Sequence, residues 1–201
     1  MSETINKFSL EALKNGDPTE FSKLVEETSP QVYRVALRIL GDAQDAEDIL
    51  QETYIKAYKS LPDFEGRSAV TTWLYRIAVN EALMLIRKKK PDMISLDKDT
   101  EEDRDPPDHL KIIGWHKLPE GELLSKEARQ FMDKAVLKLS TALRTVFVMR
   151  DLEGFSIQET AQMLGITENS VKTRLSRARL ALREDLSQYY SDHIPMENKH
   201  E

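Results

Sequence analysis

Apolar positions recur along most of this chain at intervals of three and four, and no stretch alternates convincingly as a half-buried strand does. Asp17, Pro18 and Glu20 supply a cap, a first-turn proline and an acid, which together open a helix. Ser29 and Pro30 repeat that device, so a second helix is expected there, running through Val32, Val35, Ala36, Ile39 and Leu40 to a stop at Gly41. A third begins in the acidic segment 42–48, where carboxylates favour the positive end of the helix dipole. It continues through Ile49, Leu50, Ile55 and Tyr58 to Leu61 and Pro62. A polar loop follows at 63–68, then a fourth helix from about Ala69 to Lys89, with Trp73, Leu74, Ile77, Ala78 and Leu85 as its inward stripe. Four helices with short connections can close one core over residues 1–90.

Residues 91–122 break the pattern. They hold ten acidic residues against four basic ones, with prolines at 91, 106, 107 and 119. Such a stretch cannot bury enough apolar surface to offset its ordering entropy, so it reads as a flexible acidic linker. Helical periodicity returns near Leu123 and persists through Phe131, Val136, Leu139, Val146 and Phe147, giving a second domain at 123–188 and a tail at 189–201. The expected fold class is all-α: two small helical domains, the second containing a helix-turn-helix.

That motif lies at 156–183. Ser156 and Glu159 form a capping box for a short helix with Ile157, Ala161 and Leu164 on its apolar side. Gly165 suits the left-handed residue that ends it, and Thr167 caps a second helix whose Val171, Leu175, Ala178 and Leu182 face inward. The outer face then holds Asn169, Lys172, Thr173, Ser176 and Arg177, flanked by Arg174, Arg179 and Arg183. A helix with this face fits the major groove, arginine serving guanine edges and phosphates and hydroxyls serving either.

A net charge of −6 sits awkwardly with DNA binding until its distribution is considered. Bases gather at 87–90 and 172–183, acids at 42–48 and 97–108. Screening over about 8 Å at physiological salt keeps these patches electrostatically separate. Two classes of partner are implied, one of them nucleic acid. The absence of cysteine excludes disulfides and thiolate metal sites. No apolar run approaches membrane-spanning length and the first residues lack a signal peptide's features, so a cytoplasmic protein without membrane insertion is expected.

The fourth helix offers a second surface. Thr72, Arg76, Asn80 and Arg87 lie three or four apart on a side away from Trp73, with the loop containing Phe64, Arg67 and Ser68 at its N-terminal end. Such a face can track a phosphate backbone, while an aromatic loop beside an amide can receive an unstacked base. The plainer reading makes Trp73 and Tyr75 core aromatics and the basic cluster a complement to the helix dipole.

Three blocks carry a resemblance: DAEDILQETYIKAYKSLPDF at 45–64, TTWLYRIAVNEA at 71–82, and LRTVFVMRDLEGFSIQETAQMLGITENSVKTRLSRARLAL at 143–182. Together they resemble the extracytoplasmic-function sigma factors of bacterial RNA polymerase. The resemblance implies that Asp48, Gln51 and Glu52 face a coiled coil of the largest polymerase subunit. It implies that the fourth helix and its preceding loop capture non-template bases of the −10 element, Phe64 and Asn80 matching base-pocket positions. Lys172, Thr173, Ser176 and Arg177 would read the −35 element, and an anti-sigma protein would hold the factor inactive. Two departures stand out: Leu139-Ser140 where Leu-Pro is common, and Asn169-Ser170 where Gly-Thr is usual.

The main alternative is a two-domain regulator that binds duplex DNA unaided, with residues 1–90 as sensor or dimer module. Nothing in the first domain suggests a ligand pocket. An enzyme finds less support still, because His109, His116, His193 and His200 fall in the linker and tail, and no phosphate-binding loop, nucleophile elbow or metal motif occurs. No cofactor or metal is expected.

Overall fold

A computed structural model describes residues 7–89 and 126–193, and the side chains of 7–89 and 131–185. Among the described residues the structure is helical and contains no strand, as expected. The linker expected at 91–122 and residues 194–201 of the expected tail lie outside them, while 189–193 continue the last helix. The chain divides into two compact units, the first holding the helices up to Lys89 and the second holding the C-terminal helices from Lys126 with the start of the helix at 157.

In the first unit α1 (Leu10–Lys14) is followed by α2 (Pro18–Leu40), α3 (Ala43–Ser60), a 3-10 turn (Leu61–Asp63) and α4 (Val70–Lys89). Asp17 caps α2, accepting from the backbone N–H groups of Thr19 and Glu20, and Gly41 ends it at φ 75°. Asp42 caps α3 by accepting from the Asp45 N–H at 2.9 Å. α2, α3 and α4 pack on one another around Leu24, Val32, Val35, Ile39, Leu74 and Val79, all fully buried.

Two expectations are corrected. No helix starts at Ser29–Pro30; α2 passes straight through Pro30. The hydroxyls of Thr28 and Ser29 turn back onto the carbonyls of Leu24 and Val25, the local bonding that bends a helix without ending it. Both hydroxyls also meet the Tyr54 hydroxyl, tying the proline region to α3. In α3 the inward register is Ala46, Ile49, Thr53 and Ala57, a strict three-and-four series that leaves Ile55 and Tyr58 about half exposed.

The C-terminal helices are α5 (Lys126–Lys138), α6 (Thr141–Phe147), a π-helical turn (Val148–Leu152), α7 (Ile157–Leu164) and α8 (Glu168–His193); all belong to the second unit except residues 161–165, which group with the first. Ser140 caps α6, accepting from the Leu143 N–H at 3.5 Å, so serine in the usual proline place still serves the helix start. The π turn widens the chain's path to Gly154, with the Glu153 N–H donating to the Val148 carbonyl at 2.9 Å. α6 packs on α8, whose buried stripe is Val171, Leu175, Ala178 and Leu182.

Candidate functional site

On α3, Asp48 and Gln51 are exposed and adjacent, one helical turn apart. Glu52 is half-buried, its carboxylate 3.5 Å from the Lys56 ammonium, which lies 2.6 Å from Glu81 on α4. The hydrogen bond from Lys56 to Glu81 raises the lysine's pKa. A carboxylate–amide–carboxylate face thus stands on a helix that is fixed to its neighbour. Sequence periodicity missed its extension: Ile55 and Tyr58 continue the exposed side of α3. The signal was their offset from the Ala46–Ala57 series.

On α4, Arg76, Asn80 and Arg87 are exposed and Thr72 is half-buried, so the four share one side of the helix. The opposite side buries Trp73, Leu74, Ala78 and Ala82. Met84, 53% exposed, joins the polar side, where Asn80 and Lys88 are its one-turn neighbours. The last turn carries Arg87, Lys88 and Lys89, but Lys89 is committed: its ammonium meets both Asp45 carboxylate oxygens at 2.6 Å. That hydrogen bond, helped by the charges of Asp42 and Asp48, raises its pKa.

In the loop before α4, Arg67 and Ser68 are exposed, and the Arg67 guanidinium pairs with Glu65. Phe64 differs from expectation. It is 7% exposed, with its ring centroid 4.9 Å from that of Trp73. Its ring therefore lies against the indole and is largely withdrawn from solvent.

In the second unit the capping box forms as expected: the Ser156 N–H donates to the Glu159 carboxylate at 2.8 Å and the Glu159 N–H to the Ser156 hydroxyl at 3.1 Å. Gly165 takes φ 67°, and Thr167 accepts from the Ser170 N–H at 3.1 Å to start α8. On α8, Asn169 and Lys172 are exposed, and Ser176 and Arg177 are half-buried. Three residues placed on the outer face behave otherwise. Arg174 is 5% exposed because it sits between Val171 and Ala178 on the shoulder of the buried stripe. Thr173 is fully buried although helical periodicity puts it across from that stripe, so its hydroxyl is withdrawn from solvent.

Arg179 is the third. Its guanidinium forms a two-pronged pair with Asp151 on the π turn, Nε to Oδ2 at 2.7 Å and a terminal nitrogen to Oδ1 at 2.6 Å. The Asp151 side chain is 1% exposed and that of Arg179 15%. Sequence reasoning missed Asp151, since a lone acid in MRDLEG gives no sign of a partner 28 residues on. Burial also lowers the pKa of Arg144, which donates to the Leu139 carbonyl at 3.1 Å. Among the described residues no cluster of histidine and carboxylate side chains could hold a metal, and no helix is long and apolar enough to cross a membrane.

Family models match both units: sigma-70 region 2 over residues 24–91 and sigma-70 region 4 over residues 132–182. The chain is 35% identical over 184 residues to the ECF RNA polymerase sigma factor SigW of Bacillus subtilis, a match spanning 92% of this chain and 98% of that one. It is 34% identical over 185 residues to the ECF RNA polymerase sigma-E factor of Escherichia coli K12, spanning 90% and 95%. Among solved structures, the sigma factor RpoE of Bartonella quintana, crystallised with the anti-sigma factor NepR, is similar at a TM-score of 0.61 and 26% identity, over 83% of this chain and 96% of that one. CnrH, solved with the cytosolic domain of CnrY, shares the fold at a TM-score of 0.63 and 22% identity, over 89% of this chain and 95% of that one. These relatives are transcription initiation factors, which sets aside the stand-alone regulator. The chain belongs to the extracytoplasmic-function family of RNA polymerase sigma factors.

Proposed function

We propose that this sigma factor grips core RNA polymerase through the α3 face of Asp48, Gln51 and Glu52 and reads a promoter at two places. Arg67, Ser68, Thr72, Arg76, Asn80 and Arg87 would meet the −10 element as it opens, with Phe64 packed on Trp73 at the start of the loop. Asn169, Lys172, Ser176 and Arg177 would meet the −35 element in the major groove, Thr173 joining them if its hydroxyl becomes exposed. Arg174 and Arg179 act mainly by shaping α8. Residues 1–90 and 123–188 are the working domains, 91–122 the linker and 189–201 the tail. An anti-sigma protein holds the factor inactive, as the pairing of the similar RpoE with NepR suggests. Its partners place its work in the cytoplasm.

The observation that carries this reading is the division of labour within one compact unit: an exposed acidic face on α3 and an exposed Arg76–Asn80–Arg87 side on α4. An acidic face suits a basic protein surface and repels DNA; the other suits phosphates and bases. Two variants separate the roles. Asp48→Ala with Gln51→Ala is expected to lower association with core polymerase at least tenfold, a loss of about 1.4 kcal/mol, measured by gel shift or fluorescence anisotropy. Arg177→Ala is expected to cut promoter-specific run-off transcription while leaving that association intact. Full association by the first variant, or parallel loss of both activities in the second, would refute the assignment.

A further inference from the structure

The N-terminal segment before α2 has no role in the reading above, yet several side-chain and backbone ties anchor it. The Ser9 N–H donates to the Glu20 carboxylate at 2.6 Å, the Lys23 ammonium donates to the Lys7 carbonyl at 3.0 Å, and the Lys7 ammonium pairs with Glu27 at 2.5 Å. Phe8 is buried, with the Lys23 ammonium 5.8 Å from its ring centroid. Three separate ties therefore hold this segment to α2.

The other side of α1 meets the DNA loop. α1 packs against the 3-10 turn, and Leu13 and Leu61 on these two elements are each 1% exposed. The Phe64 N–H donates to the Leu61 carbonyl at 3.1 Å, so the turn leads directly into the ring that rests on Trp73. One turn along α1, Leu10 approaches the loop itself: a Cβ placed on Gly66 would lie 3.4 Å from Leu10 Cδ2. Gly66 holds φ 74°, so its backbone needs the freedom of glycine, and Leu10 stands at van der Waals distance from where a side chain would begin.

We infer that α1 is a strut that positions the loop at 64–68 for capture of an unpaired promoter base, with Leu10 and Leu13 as its positioning residues. The inference rests on the assignment of that loop to the −10 element. Arg67, Ser68 and the left-handed Gly66 lie on the exposed side of this loop, and base capture depends on placement within a fraction of an ångström. α1 supplies the fixed wall. The ties named above run to α2 and to the 3-10 turn, away from Asp48 and Gln51 in the first half of α3, so loosening it is expected to leave the acidic α3 face in place.

The test uses the full chain with core polymerase. Leu10→Ala is the mild variant and Leu13→Ala the stronger one, each checked for a cooperative thermal transition. Opening is followed by permanganate reactivity of unpaired thymines on a duplex promoter, and run-off transcription is compared on a template already unpaired across the −10 element. Leu10→Ala is expected to slow opening on the duplex on the order of tenfold, to transcribe from the unpaired template nearly as the parent does, and to bind polymerase as the parent does. Arg67→Ala serves as the control for the loop. If Arg67→Ala slows opening and both α1 variants do not, the strut is wrong and the loop assignment stands. If neither the loop nor the α1 variants alter opening, the loop assignment falls and takes the strut with it. Equal loss of polymerase binding and opening in Leu10→Ala would also overturn the strut, since it would mark general loss of structure.

Discussion

Arg179 carries a positive charge on the helix assigned to the −35 element, but its guanidinium is spent on Asp151. A carboxylate 1% exposed has no solvent to replace a lost partner, so removing Arg179 strands a buried charge. Arg179→Ala is expected to lower the stability of the second unit by about 3–5 kcal/mol, measured by urea titration, whereas Lys172→Ala stays within about 0.5 kcal/mol. Equal small losses would show that the pair contributes little. Tyr54 gives a second test. Burial raises its pKa above 10.0, offset partly by its hydrogen bonds with Ser29 and Thr28. A raised pKa means that the folded state keeps its proton longer than the unfolded chain does. The contribution is therefore intact below about pH 10 and is lost as pH climbs through the folded value. Tyr54→Phe should flatten that alkaline loss in thermal melts, while an unchanged alkaline limb would assign the loss elsewhere. At this scale the sequence was least legible: it distinguishes an arginine from an alanine, but not an arginine aimed at a phosphate from one closed on a carboxylate far along the chain.

Elements were more legible, because their signals are local. Ser156 and Glu159 lie three residues apart and form the capping box that this spacing implies, and Asp17, Asp42 and Gly41 occupy the helix ends assigned to them. Ser156→Ala is expected to cost roughly 1 kcal/mol of stability in the second unit, since it leaves an N-terminal N–H without its acceptor; a neutral result would mean that water caps α7 as well. Pro30 shows where local rules fail. It satisfies the pattern for a helix start, yet Val32, Val35 and Ala36 continue the inward register of Leu24 and Thr28, and packing against α3 and α4 carries α2 through. Replacing it restores an N–H facing the Glu26 carbonyl. Pro30→Ala should therefore stabilise the first unit by about 1–3 kcal/mol. Loss of stability there would mean that the bend itself is needed to seat Tyr54 against Thr28. The π turn at 148–152 had no such local signature, because a single widened turn alters neither cap nor composition.

For the whole molecule, the difficulty is a DNA-binding protein with 35 acidic and 29 basic residues. Placement answers it. Asp45 holds Lys89, Asp151 holds Arg179 and Glu81 holds Lys56, so several cations are neutralised within the fold. The acids around Asp48 then face outward from α3, leaving Arg67, Arg76, Arg87 and Lys172 among the exposed cations on the proposed DNA faces. Few phosphates can be contacted, so binding to free promoter duplex should be weak and only moderately salt-dependent, each phosphate contributing a slope of about −0.9 in log affinity against log salt. Lys172→Ala is expected to make that slope shallower by about one unit while leaving sequence preference unchanged, the signature of a phosphate contact. Measuring affinity for a −35 duplex between low and moderate salt checks this. An unchanged slope would remove Lys172 from the DNA face; an unchanged slope with altered base preference would make it a base reader. A steep slope in the parent chain would show that the internal carboxylates release their lysines and arginines to DNA, which would make the acidic surplus a competitor for promoter phosphates and not a fixed part of the fold.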